Sequence, residues 1–171
     1  ALREQVVQVL NNSCERQLAI SLWVRRLTES RRAGHGVQTL GFMTEAIAHA
    51  VRERKGSEPS RLLVMSEKSL MHADSPKHHA TGVALRPEDL QLLPALMAAP
   101  QAVLWDNRHN NLLYIVTTRD GTAKVAVNAA QSVKRQPDSL DVLINAYRVD
   151  AQSLITDIAG GWLEVLEGKI D

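Results

Sequence analysis

From Ala102 to Asn128 the chain carries three β-rich runs separated by two short turn signals, and few folds accept that pattern. Ala102 to Asp106 and Leu112 to Thr118 flank the polar stretch Asn107-Arg108-His109-Asn110-Asn111, which predicts an antiparallel hairpin. Asp120-Gly121 is a compact-turn dipeptide leading into Lys124 to Asn128, so the hairpin extends into a meander. Val142 to Val149 is expected to supply a fourth strand. Because side chains alternate across a strand, Leu112, Tyr114 and Val116 share one face, and Leu113 and Ile115 the other. Lys124 and Asn128 likewise oppose Val125 and Val127. One side of the sheet is therefore expected to lie under helices, and the other to be more polar, an open concave surface where Lys124, Asn145 and Tyr147 can converge.

The residues before this sheet follow a helical period. Leu2, Val6 and Leu10, then Cys14, Leu18 and Leu22, recur every four positions, with Trp23 and Leu27 alongside and a break at Asn11-Asn12-Ser13. After the glycine-containing turn from Arg31 to Gly36, Leu40, Met43, Ile47 and Val51 form a second helical stripe. The run from Gly56 to Ser60 ends it. Leu62 to Met65 is a short strand, Ser66 caps a helix, and Ser75-Pro76 stops that helix. Lys77 to Gly82 is expected to be a loop, and Pro87 opens a helix that Ala99-Pro100 closes. A polar connection containing Lys134, Arg135 and Pro137 precedes the fourth strand. Asp150 caps a last helix through Ile158, and Trp162 to Leu166 form a short apolar tail. The expected fold is α+β, with N-terminal helices followed by a four- or five-stranded antiparallel sheet. Residues 1–58 form its helical region and residues 59–171 its α+β domain.

Composition narrows the function. A net charge of +1 excludes a highly basic nucleic-acid coat, and three Trp, two Tyr and one Phe leave few rings for stacking bases. The one cysteine, Cys14, excludes an intramolecular disulfide framework and fits a reducing compartment. No apolar run approaches membrane-spanning length, so no membrane partner is expected. The chain carries no glycine-rich phosphate loop, no dinucleotide fingerprint, no Gly-x-Ser-x-Gly elbow and no His-Glu-x-x-His frame. The polar cluster from His72 to His79 remains. Adjacent His78 and His79 point apart on regular structure and no second ligand group has matching spacing, so neither a metal nor a cofactor is expected. Histidine titrates near neutrality and both takes and gives a proton, which is what cleavage of RNA through its ribose 2′-hydroxyl needs, together with a cation to hold the phosphate. His72, Lys77 and His78 are of the right types. The alternative is that His72 ends a short helix while the others solvate a loop.

A series of phrases occurs in order: Val64-Met65-Ser66-Glu67-Lys68-Ser69-Leu70-Met71-His72-Ala73, Gly82-Val83-Ala84-Leu85, Leu93-Pro94-Ala95-Leu96, Pro100 to Asp106, Asn111 to Val116 and Lys124 to Asn128. Together they resemble the C-terminal domain of head-morphogenesis (minor head) proteins of Mu-like phages and prophages, itself similar to phage barnase/EndoU/colicin/RelE-like nuclease domains. The resemblance spans about Leu62 to Gly168. It implies a metal-independent RNase-type site, with His72 as first acid or base, Lys77 and His78 next, and Lys124, Asn128 and Asn145 as contacts to substrate phosphate or base. It equally admits a non-catalytic assembly or virion structural protein that contacts portal or capsid proteins, or a toxin-like domain. The settings it implies are the bacterial cytoplasm and the phage virion, and the oligomeric state is left open.

Overall fold

The computed structural model describes residues 4–7, 14–131 and 140–171. The expectations on Leu2, Leu10, Asn11-Asn12-Ser13 and on Lys134, Arg135 and Pro137 lie outside the described residues.

Helix α1 (Cys14–Ser30) forms as the period predicts, but the buried stripe is Ile20, Trp23, Val24 and Leu27, at spacings of three and four, and not the expected Cys14, Leu18 and Leu22. Leu18 and Leu22 face away and are 61% and 56% exposed. The next stripe is not wholly helical as expected. Its first part, with Leu40, is strand β1 (Val37–Phe42), because its backbone pairs antiparallel with β2 (Leu62–Ser66), from Val37 opposite Ser66 to Phe42 opposite Leu62. Helix α2 (Glu45–Lys55) begins only after Thr44, whose hydroxyl accepts from the Ile47 N–H, and ends at Gly56 in the left-handed region.

Ser66 caps helix α3 (Glu67–Ala73), accepting from the Ser69 N–H. The expected loop from Lys77 to Gly82 is corrected in its first half, which forms the short helix α4 (Pro76–Ala80). The Ser75 hydroxyl takes the His78 N–H and Pro76 fills the first turn, so the pair that stops one helix starts the next. The single helix expected after Pro87 is two, α5 (Pro87–Gln91) and α6 (Leu93–Ala98), divided just before Pro94. Strands β3 (Ala102–Asp106), β4 (Asn111–Thr118), β5 (Gly121–Gln131) and β6 (Leu140–Arg148) form the expected meander. Helix α7 (Ala151–Ala159), capped by Asp150, precedes β7 (Leu163–Gly168), so the apolar tail is a strand.

The sheet corrects the expectation of four or five antiparallel strands. It has seven, in the order β1-β2-β6-β5-β4-β3-β7, and β2 runs parallel to β6 with Leu63, Val64 and Met65 opposite Asp141, Val142 and Leu143. The N-terminal segment supplies the extra strand on one side and the C-terminal tail supplies it on the other. The sheet also curls. Arg54 on α2, next to the first strand, donates to Glu164 on the last at 2.7 Å, and Leu40 and Gly168 line the same cavity.

Both faces are covered. On one, α1, α2, α3, α5 and α6 pack Ile20, Ile47, Leu70, Leu90 and Met97 over Val103, Leu112, Tyr114 and Val125. This core draws on residues on both sides of position 58. On the other, Leu154 of α7, joined by Ile158, covers Leu104, Leu113 and Ile115. The surface expected to be open and concave is thus partly closed by α7, and what stays accessible is its margin beside β6.

Candidate functional site

Strand β2 stops at Ser66 while β6 continues for several residues past its last partner, Leu143. Helices α3 and α4 occupy the space beside this free length of β6. The segment after α4 is tied to it: the Arg148 N–H donates to the Val83 carbonyl at 2.8 Å, and the Arg148 guanidinium donates to the Gly82 carbonyl. The His78 carbonyl accepts from the N–H groups of Val83 and Ala84, which folds the segment back on α4. His78 is thereby held against β6.

A chain of side chains results. The rings of His72 and His78 lie 5.7 Å apart edge to face, and those of His78 and Tyr147 lie 5.3 Å apart. Lys124, opposite Tyr147 in the β5–β6 register, places its Nζ 4.9 Å from the centre of the Tyr147 ring. His78 Nδ1 is 2.9 Å from the Ala73 carbonyl. A carbonyl only accepts, so Nδ1 carries the hydrogen, and the neutral ring offers Nε2 as a base. His72 is exposed, His78 and Tyr147 are half-buried, and an imidazole pair beside an ammonium can exchange a proton and meet an anion.

Of the six residues singled out in the sequence, the structure brings together His72, His78 and Lys124. Lys77 is exposed on α4, and among the described residues its side chain makes no hydrogen bond or ion pair. Asn128 lies apart, four residues or about 13 Å along β5 from Lys124, where its carboxamide oxygen accepts from Lys55 Nζ at 2.8 Å. The Asn145 oxygen takes the neighbouring Ala146 N–H at 3.0 Å. Tyr147 links the two histidines to Lys124. Its approach to Lys124 follows from strand alternation, whereas its contact with His78 depends on the parallel β2–β6 pairing, for which no local pattern speaks.

The remaining polar groups of the segment are engaged in structure. Asp74, buried at the end of α3, accepts from Arg31 and from His79 Nε2, the latter at 2.7 Å. Among the described residues no three His, Cys, Asp or Glu side chains come together as a metal site. No described helix is long and apolar enough to cross a membrane.

The geometry defines a layered α+β domain with a curled seven-stranded mixed sheet and a cationic, ring-lined margin beside β6. Comparison with known proteins places it in a family. Residues 74–165 match the phage MuF C-terminal domain, and the chain belongs to that family. It is 56% identical over 170 residues to the putative capsid assembly protein F of Escherichia phage Mu, covering 99% of this chain and 37% of that protein. It is 39% identical over 173 residues to the Mu-like prophage FluMu F protein of Haemophilus influenzae, covering 99% of this chain and 42% of that one. The chain thus spans about two fifths of the length of these relatives. No solved structure matches it.

Proposed function

We propose that the chain is a head-assembly domain of a Mu-like phage or prophage, acting by binding other head proteins such as portal or capsid subunits, in the host cytoplasm and then in the virion. The observation that carries this reading is the 56% identity, along nearly the whole chain, to a protein named for capsid assembly. The exposed Leu18 and Leu22, one turn apart on α1, add an apolar pair of the kind that protein interfaces use. The test is complementation. A phage lacking its F protein is supplied with an F protein in which this chain replaces the matching region, and filled heads are counted by electron microscopy. Restored heads, reduced by Leu18→Glu with Leu22→Glu, are expected. A hybrid that is stably made yet yields no heads would remove the reading.

One observation favours a second reading, acid–base cleavage of RNA: the contact chain of His72, His78, Tyr147 and Lys124. In it His78 Nε2 takes the 2′-hydroxyl proton, His72 protonates the leaving oxygen, and Lys124 meets the phosphate, with Lys77 supplying further positive charge. Asn128 and Asn145 then serve as more distant substrate contacts, each giving up the bond it now makes. Incubation with tRNA in the presence of chelator decides it. Cleavage lost in both His72→Ala and His78→Ala supports the reading, and intact RNA at high protein concentration ends it.

A further inference from the structure

The first and last strands of the curled sheet approach without pairing, and between them lies a cavity of about 180 Å³. Its walls are apolar, from Leu40, Ile47, Leu63, Pro94 and Met97, with Ala98 beside them. Polar side chains break that lining at Thr44, Gln101, Tyr114 and Glu167, and the last two bear on what could enter. Tyr114 is 4% exposed, and its hydroxyl makes no hydrogen bond to any described residue. Glu167 on β7 is exposed and, among the described residues, without an ion pair. Burial, then the charges of Asp141 and Glu167, push the Tyr114 phenol well above its ordinary range, so it stays protonated and keeps a hydrogen to offer to an acceptor that enters the pocket.

Size decides what kind of occupant fits. Pockets for drug-sized molecules and cofactors run about 300–1,000 Å³, whereas an apolar cavity of about 150 Å³ suffices for benzene. This pocket is therefore matched to one side chain of Leu, Met or Phe size. The phenol, open to the pocket, has a hydrogen to give to an acceptor such as a peptide carbonyl, and the carboxylate beside it suits a cation.

We propose that the pocket receives a single large apolar side chain of a partner protein segment, whose backbone carbonyl accepts from Tyr114 and whose neighbouring Lys or Arg pairs with Glu167. The proposal rests on the head-assembly reading only in taking the partner to be a head protein.

The experiment is selection of a yeast-displayed random-peptide library on the purified chain. Enriched peptides are expected to share one Leu, Met or Phe with a Lys or Arg within two positions. Their affinity should fall at least tenfold in Ala98→Leu, which narrows the cavity, and about threefold to tenfold in Tyr114→Phe. In Glu167→Lys the selected charge should reverse to Asp or Glu. Should Ala98→Leu fail to fold, Glu167→Lys decides, since its side chain lies at the surface. No enrichment, peptides without an apolar anchor, or binding indifferent to Glu167→Lys would overturn the proposal. Because the assay uses no phage particle, loss of the head-assembly reading in the complementation test leaves its outcome standing, and the reverse holds as well.

Discussion

Two buried aspartates make opposite demands on the fold. Asp106 ends β3 and accepts from the N–H groups of Arg108 and His109 at 2.9 and 3.1 Å, and from His109 Nδ1 at 2.8 Å. Burial raises its pKa, but these hydrogen bonds outweigh burial and leave it below the usual carboxylate value. The stabilisation is therefore present above the unfolded pKa of about 4 and is lost as pH falls through the lower folded value. Asp106→Ala should cost about 1–2 kcal/mol at neutral pH by urea denaturation, and the gap from the parent should close in acid. Asp89 is 2% exposed with Oδ2 unpartnered, and burial raises its pKa more than Arg119 lowers it. The folded state thus prefers the neutral acid, and its charge costs stability at neutral pH. Asp89→Asn should stabilise by roughly 1 kcal/mol near pH 7, and that gain should fade as pH falls through the raised pKa, where Asp89 becomes neutral too.

Among the elements, α7 and β7 have the most testable attachments. Leu154 is the buried anchor of α7, and Leu154→Ala should cost about 2–5 kcal/mol in a denaturant titration. Gly168 sits at φ 72°, and a Cβ there would lie 2.2 Å from the Gln101 carbonyl oxygen, so β7 closes on β3 only because the residue has no side chain. Gly168→Ala should lower the melting temperature and raise amide exchange in β7 ahead of β4. What the sequence revealed follows the same division. The meander was legible because its strands alternate and its turns carry their own residues. The helices α1, α2, α3 and α7 announced themselves by period or cap. Strand β1 did not, since Leu40, Met43 and Ile47 keep a helical spacing and only pairing with β2 makes the first of them extended. Helix α4 was hidden because Pro76–Ala80 has no fully buried residue to set a period and depends on a serine cap. In the candidate site, His72, His78 and Lys124 were visible as residue types. Their meeting through Tyr147, and the pocket over Tyr114, depend on strands far apart in sequence.

For the whole molecule, one core joins helices from the first third of the chain to strands from the middle and last thirds, as Ile20, Ile47, Val103 and Leu143 show. Calorimetry should give a single unfolding transition, with Ile47→Ala and Val103→Ala lowering the same peak. Two separate transitions would instead favour a division near residue 58. The adjacency of β2 and β6 also governs the order in which the molecule is completed. On a ribosome, β2 emerges some seventy-five residues ahead of its parallel neighbour, and until that neighbour appears β1 and β2, joined through α2, are a two-stranded pair with the inner edge of β2 bare, a unit of marginal stability in water. The early third of the chain must wait, unfinished, for residues near its other end. A domain wired this way commits late, because the pairing that completes β2 is non-local, and non-local pairings form slowly.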